Sequence, residues 1–209
     1  MTHMPARILD FIAARLNIRP QKNSGTLYLS LFFAVLMNTY ANPRIVKEIV
    51  SCLPAQYLSA ESLAVCVSNL AIGMLWKGKT REIVIMNFMI LAILETVASV
   101  LLGIWLLFVS YDVWVMAIAS IVYANCISLF VSKCVMTFKS KLFVEKDRED
   151  FDNGHSNVMA IASIVGFITA TCLMPSLELA IAFWSLACIF DDIGWICIYV
   201  RNRPRLISN

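Results

Sequence analysis

Charge is what this sequence has least of. Only 15% of its 209 residues are Asp, Glu, Lys or Arg, while 60% are hydrophobic; an ordinary soluble domain carries about 25% charged residues. The shortage excludes water as the solvent for most of the chain. Histidine is scarcer still, with His3 and His155 alone, and the seven cysteines (Cys52, Cys66, Cys126, Cys134, Cys172, Cys188 and Cys197) show no CxxC or other ligand spacing. Most of these cysteines fall in apolar runs, where Cys acts as a small filler, so neither a disulfide nor a metal role is expected. G-x-G-x-x-G, Walker A, H-E-x-x-H and G-x-S-x-G patterns are all missing. No cofactor, no metal and no enzymatic activity are therefore expected. The first 24 residues contain Arg7, Asp10, Arg15, Arg19 and Lys22, which breaks the apolar core a signal peptide requires, so no segment is expected to be removed.

What the sequence does have is apolar blocks separated by short polar stretches, several of them near the roughly 20 residues that carry a helix across about 30 Å of hydrocarbon. The expected fold is all-α, a polytopic membrane protein of six transmembrane helices. The spacing predicts an interfacial amphipathic helix over 6–19 within a cytoplasmic segment 1–24, a six-helix domain over 25–200, and a cytoplasmic tail over 201–209. The predicted spans run over about 26–41, with a possible kinked extension through Pro43, then 59–76, 82–109, 112–132, 155–173 and 177–200. The longest polar connection is expected at 133–153, and the arginines after Val200 are expected to stop the last helix.

The positive residues have a pattern. In the six-span reading, fifteen of the seventeen Lys and Arg residues fall on one side and only Arg44 and Lys47 on the other. By the positive-inside rule the heavy side is cytoplasmic, and both termini lie there, as in a bacterial inner membrane. The net charge of +3 is thus topogenic and calls for no nucleic-acid partner. Membrane lipids are the expected neighbours.

Polar side chains deep in apolar runs are costly and mark candidate sites. Glu95 sits in the middle of the third predicted span, and must be protonated, paired or facing water. It reads as a coupling carboxylate, a ligand for a cation, or a neutral interhelical hydrogen bonder. Asp191 and Asp192 lie well inside the sixth. Adjacent positions point about 100° apart on a helix, so one is expected to face the interior and the other to pair or reach toward water. Asn38, Asn42, Asn69 and Asn125 add amides in three further spans. Together these residues predict a polar interior that admits a small solute or cation. Trp76, Trp105, Trp114 and Tyr111 fit an aromatic belt, whereas Trp184 and Trp195 lie farther from loops and suit a cavity wall. Ala162-Gly166-Ala170 and Ser120-Ala124-Ser128 are small-residue ridges for helix contact.

The segment Leu53-Pro54-Ala55-Gln56-Tyr57-Leu58-Ser59 and the basic loop Gly73-Met74-Leu75-Trp76-Lys77-Gly78-Lys79-Thr80-Arg81 carry a resemblance. With the charged stretch before a small-residue-rich fifth span, the chain resembles one six-helix half of a major facilitator transporter. The loop is similar to the family's G-x-L-x-D-x-x-G-R signature at Gly73, Leu75 and Arg81, with Lys77 in place of the acidic residue and Thr80 in place of the second glycine. The resemblance implies a gating role for Gly73, Lys77 and Arg81, although the acidic latch residue is replaced. It also implies pairing, since complete members have twelve helices: a homodimer or a second membrane subunit. A non-transporting accessory, immunity or resistance protein is the alternative, as is the substrate-binding subunit of an uptake complex. A further expectation is a 3+3 inverted repeat with Glu95 and the Asp191-Asp192 pair as counterparts near the midplane.

Overall fold

The computed structural model describes residues 25–79, 81–109, 112–122, 127–143 and 145–207, and every element among them is a helix or a turn. Seven helices follow in order: α1 (Gly25–Cys52), α2 (Pro54–Leu75), α3 (Arg81–Phe108), α4 (Val113–Val122), α5 (Ser128–Leu142), α6 (Glu145–Cys172) and α7 (Leu177–Ile207). The interfacial helix expected over 6–19 and the amide Asn125 lie outside the described residues.

Among the described residues four helices are long and apolar enough to cross a membrane, over Ala55–Leu75, Ile83–Phe108, Asp147–Cys172 and Leu177–Arg203. The chain is an integral membrane protein. The expected count of six is corrected to four. Helix α1 has the length, 28 residues, but Asn38, Thr39, Tyr40 and Asn42 dilute its apolar run, and Arg44, Lys47 and Glu48 follow. The fourth expected span is not one described helix. Its apolar part, α4, has only 10 residues, and α5 carries Lys133, Lys139 and Lys141. The inverted repeat falls with the count, because two triplets need six spans and among the described residues four helices have spanning character.

Several boundaries also differ from expectation. Pro54 opens α2 earlier than Ser59, at the first position of the helix, where its missing N–H costs nothing. Much of the polar stretch over 133–153 is helical, because charges of opposite sign meet one turn apart: Arg148 Nε lies 3.7 Å from Asp152 Oδ2. Helix α7 runs past Val200. There Asn202 Nδ2 donates to the Ile198 carbonyl at 2.8 Å, and arginines suit the negative end of a helix dipole.

Close contacts fix how the helices cross. Helices α1 and α7 are antiparallel: Tyr40 meets Phe183 with ring centres 5.5 Å apart, Phe33 meets Phe190 at 5.7 Å, and the Ser30 hydroxyl donates to the Phe190 carbonyl. Helix α6 runs parallel to α1, from Tyr28 stacked on Phe151 at 5.7 Å to Gly166 against Thr39. Helix α3 is antiparallel to α7, with Phe88 against Tyr199 at 5.3 Å and Ser185 Oγ donating to the Ser99 carbonyl at 3.3 Å.

The buried apolar side chains divide into two clusters along the bundle. One gathers Leu27, Leu31, Phe88, Val131, Phe151, Trp195 and Tyr199. The other gathers Ala41, Ile45, Tyr57, Leu106, Met116, Ile181 and Trp184. Between them, on every helix that reaches both, the sequence turns polar: Asn38 on α1, Glu95, Thr96 and Ser99 on α3, and Asp191 and Asp192 on α7. The outward residues of α3, among them Ile90, Leu94, Leu101 and Trp105, remain apolar and exposed, as lipid contact requires.

Small residues set the closest approaches. A Cβ added at Gly166 would stand 2.9 Å from Thr39 Cβ and 3.0 Å from the Leu36 carbonyl oxygen, which is backbone and cannot yield. Gly166→Val is therefore expected to lower stability by about 1–3 kcal/mol. Gly73→Ala, where nothing lies within 4 Å, is expected to leave stability unchanged or slightly raised. Unfolding of the two variants in a mild detergent compares them directly.

Candidate functional site

Between the two apolar clusters a cleft of ≈ 520 Å³ opens among α1, α2, α4, α5, α6 and α7. Helix α1 supplies Asn38 and Asn42, one turn apart on one face. Helix α2 supplies Tyr57 and Glu61, and Ser120, Ser128 and Ser132 come from α4 and α5. Helix α7 supplies Trp184, Asp191 and Trp195, whose spacings of seven and four keep them on a common stripe. Lys139 of α5 and His155 of α6 stand toward the first cluster.

The two adjacent aspartates have different surroundings, as their 100° separation demands. Asp191 is half-buried and faces the cleft, where the Trp195 side chain, one turn on, hydrogen-bonds its carboxylate. Asp192 is 2% exposed and turned toward α3, where Thr96 Oγ1 donates to its Oδ2 at 2.5 Å. Glu95 precedes Thr96 and is 3% exposed. Glu95 and Asp192 thus belong to the same helix interface but not to the cleft wall. Their neighbourhood is closed by Ser99 and by Gly103, at which a Cβ would collide with the Ser185 hydroxyl.

At the other end of the cleft Lys139 is held on three sides. Its Nζ lies 2.6 Å from Asp152 Oδ1 and stands 5.1 Å from the Phe151 ring centre and 5.7 Å from that of Trp195. His155 stacks on the same Phe151 at 6.1 Å. An ammonium between a carboxylate and two π faces is a well-satisfied charge even with only 14% of its side chain exposed. At the opposite end Tyr57 Oη and Ser120 Oγ share a hydrogen bond at 3.2 Å, tying α2 to α4.

Of the residues expected from sequence, the structure brings Asn38, Asn42, Asp191, Trp184 and Trp195 to the cleft, sets Glu95 and Asp192 behind it, and turns Asn69 away. Asn69 points outward and spends its amide on the Val65 carbonyl of its own helix at 2.9 Å. The expected gating loop is remote from the cleft: Gly73 is exposed within α2, Lys77 is exposed in the turn, and Arg81 opens α3. The reversal between α2 and α3 is made by Gly78, whose φ of 71° favours glycine. Glu61, Lys139 and His155 were not anticipated as lining residues. Among the described residues, no three His, Cys, Asp or Glu side chains are grouped to hold a metal ion.

No protein-family profile matches the chain, and neither do any curated protein or solved structure. The resemblance to a major facilitator half is withdrawn. The described motif residues are spread over the end of α2, the turn after it and the start of α3, and in place of the six-helix half the described residues hold four helices of spanning character.

The Thr96–Asp192 contact gives a direct test of the α3–α7 register. Thr96→Val leaves a buried carboxylate oxygen without its donor and is expected to cost about 1–2 kcal/mol. Asp192→Asn combined with Thr96→Val is expected to cost less than the two single changes added, by about 0.6 kcal/mol or more. A double-mutant cycle of unfolding free energies reads this coupling, and strict additivity would separate the two side chains.

Proposed function

We propose that this protein is a membrane carrier that moves a small polar solute or cation through the cleft between α1 and α7. The observation that carries the reading is the placement of the Asp191 carboxylate and the Asn38 and Asn42 amides in a water-accessible space at mid-height of an apolar bundle. A bundle that only needed to hold itself together gains nothing from such a space. Polar side chains there are expensive in hydrocarbon unless they serve a passage or a bound ligand. The Lys139–Asp152 pair and the Tyr57–Ser120 hydrogen bond stand at the two ends of the space, where opening and closing would act. The cleft is formed within one chain, so the proposal needs no second copy. It calls for no catalysis and no bound cofactor.

The direction follows from charge. The antiparallel and parallel contacts bring the start of α1, the start of α3, the α5–α6 junction and the end of α7 to one end of the bundle. That end carries Lys77, Lys79, Arg81, Lys139, Lys141, Lys146, Arg148, Arg201 and Arg203, against Arg44 and Lys47 toward the other. We place the basic end, with both termini, on the cytoplasmic side of a bacterial-type inner membrane.

Reconstitution into liposomes tests the proposal. Counterflow or uptake of the transported solute is expected to fall roughly tenfold or more in Asp191→Asn and to weaken in Asn38→Leu. In Asn69→Ala, whose side chain faces away from the cleft, it is expected to stay at the level of the unaltered protein. Equal flux in all three variants, or a panel of solutes with no protein-dependent flux, overturns the carrier reading and favours a non-transporting membrane partner.

A further inference from the structure

We infer that the ligand of this cleft is a small organic cation, held by the Asp191 carboxylate in a wall that the indole rings of Trp184 and Trp195 complete. The inference rests on the reading that a solute enters the cleft, and adds the solute's chemical class.

Three observations converge. The first is register: Trp184, Asp191 and Trp195 lie on one stripe of α7 and all reach the cleft wall. A carboxylate with one indole a turn away and a second two turns away is therefore built into a single rigid helix. The second is charge. Two carboxylates, Glu61 and Asp191, face the space against one ammonium, Lys139, and Asp152 already compensates that ammonium at 2.6 Å. Among the described residues no ion pair involves Asp191. Its negative charge therefore stands in a low-dielectric setting, where attraction for an incoming cation is stronger than in water. An anionic ligand would meet that charge as repulsion.

The third is the aromatic surface. Indole is the strongest of the side-chain π faces toward a cation, and quaternary ammonium groups are recognised by aromatic walls of this kind. The structure displays the same preference internally, since Lys139 rests over Phe151 and Trp195. The ≈ 520 Å³ of the cleft falls in the range of small-molecule sites. Asn38 and Asn42 offer amide partners for a hydroxyl or amide borne by the cation.

The experiment uses the full chain in lipid nanodiscs and choline as the probe, with 3,3-dimethylbutan-1-ol as its uncharged isostere. Titration followed by calorimetry and by tryptophan fluorescence is expected to show choline binding at least about tenfold tighter than the isostere. Asp191→Asn is expected to weaken choline about tenfold or more, and Trp184→Phe, which keeps a weaker π face, by a smaller factor. Thermal unfolding of each variant without ligand confirms that the bundle is intact, and Trp184→Phe keeps the test decisive should Asp191→Asn fail to fold. Equal affinity for choline and its isostere, unchanged choline affinity in a folded Asp191→Asn, or no choline binding up to millimolar concentration overturns the inference. Asp191-dependent choline binding without liposome flux upholds the site and overturns the carrier reading. Flux of an uncharged solute without choline binding does the reverse.

Discussion

The constraint on which the rest depends is that a carboxylate inside an apolar bundle must be given either a donor or water. Helix α7 carries two in succession and meets the demand both ways. Asp192 takes the Thr96 hydroxyl, which fixes α3 against α7, and Asp191 takes the Trp195 side chain and the open cleft. Once those two orientations are set, the turns above and below are committed. Ser185 must face Ser99 and Gly103, and Phe190 must face α1. The register of the bundle is thus specified by polar contacts at mid-height, while the apolar clusters on either side supply close packing that many registers would satisfy nearly as well.

Helix α1 shows the complementary solution. Its polarity is too high for a helix bathed in lipid, yet α6 and α7 pack along it and the cleft takes its amides. Pro43 is tolerated in its interior, since protein and cleft rather than hydrocarbon surround the freed backbone carbonyl. The features that lower its apolar character are the ones that make it the inner wall of a polar space.

Much of this was legible in the sequence, and the remainder was not for definable reasons. Apolar run length located α3 and α7 well and α6 except for its first turns, and depth within the run marked Asp191 and Asp192 together without deciding which faces the cleft. The distance of Trp184 and Trp195 from loops pointed to a cavity wall. Facing was harder: Asn69 has the same depth and chemistry as Asn38, but depth says nothing of direction, and its helix turns it outward. Glu61 fell in the first turn of the span expected over 59–76, where a carboxylate suits a helix start, and Lys139 counted as a topogenic charge. Neither reading identifies the helix that will pack beside it.

Helix α2 stands apart from the others, with only 11% of its apolar stretch buried inside the molecule, against 39% for α7. Its outward residues Leu63, Val67, Leu70 and Met74 are held by acyl chains rather than by protein. For this helix the bilayer is the main neighbour, since most of its apolar stretch meets no protein. Because α2 carries Tyr57 and Glu61 into the cleft, one wall of the site stands on a helix that belongs as much to the lipid phase as to the protein.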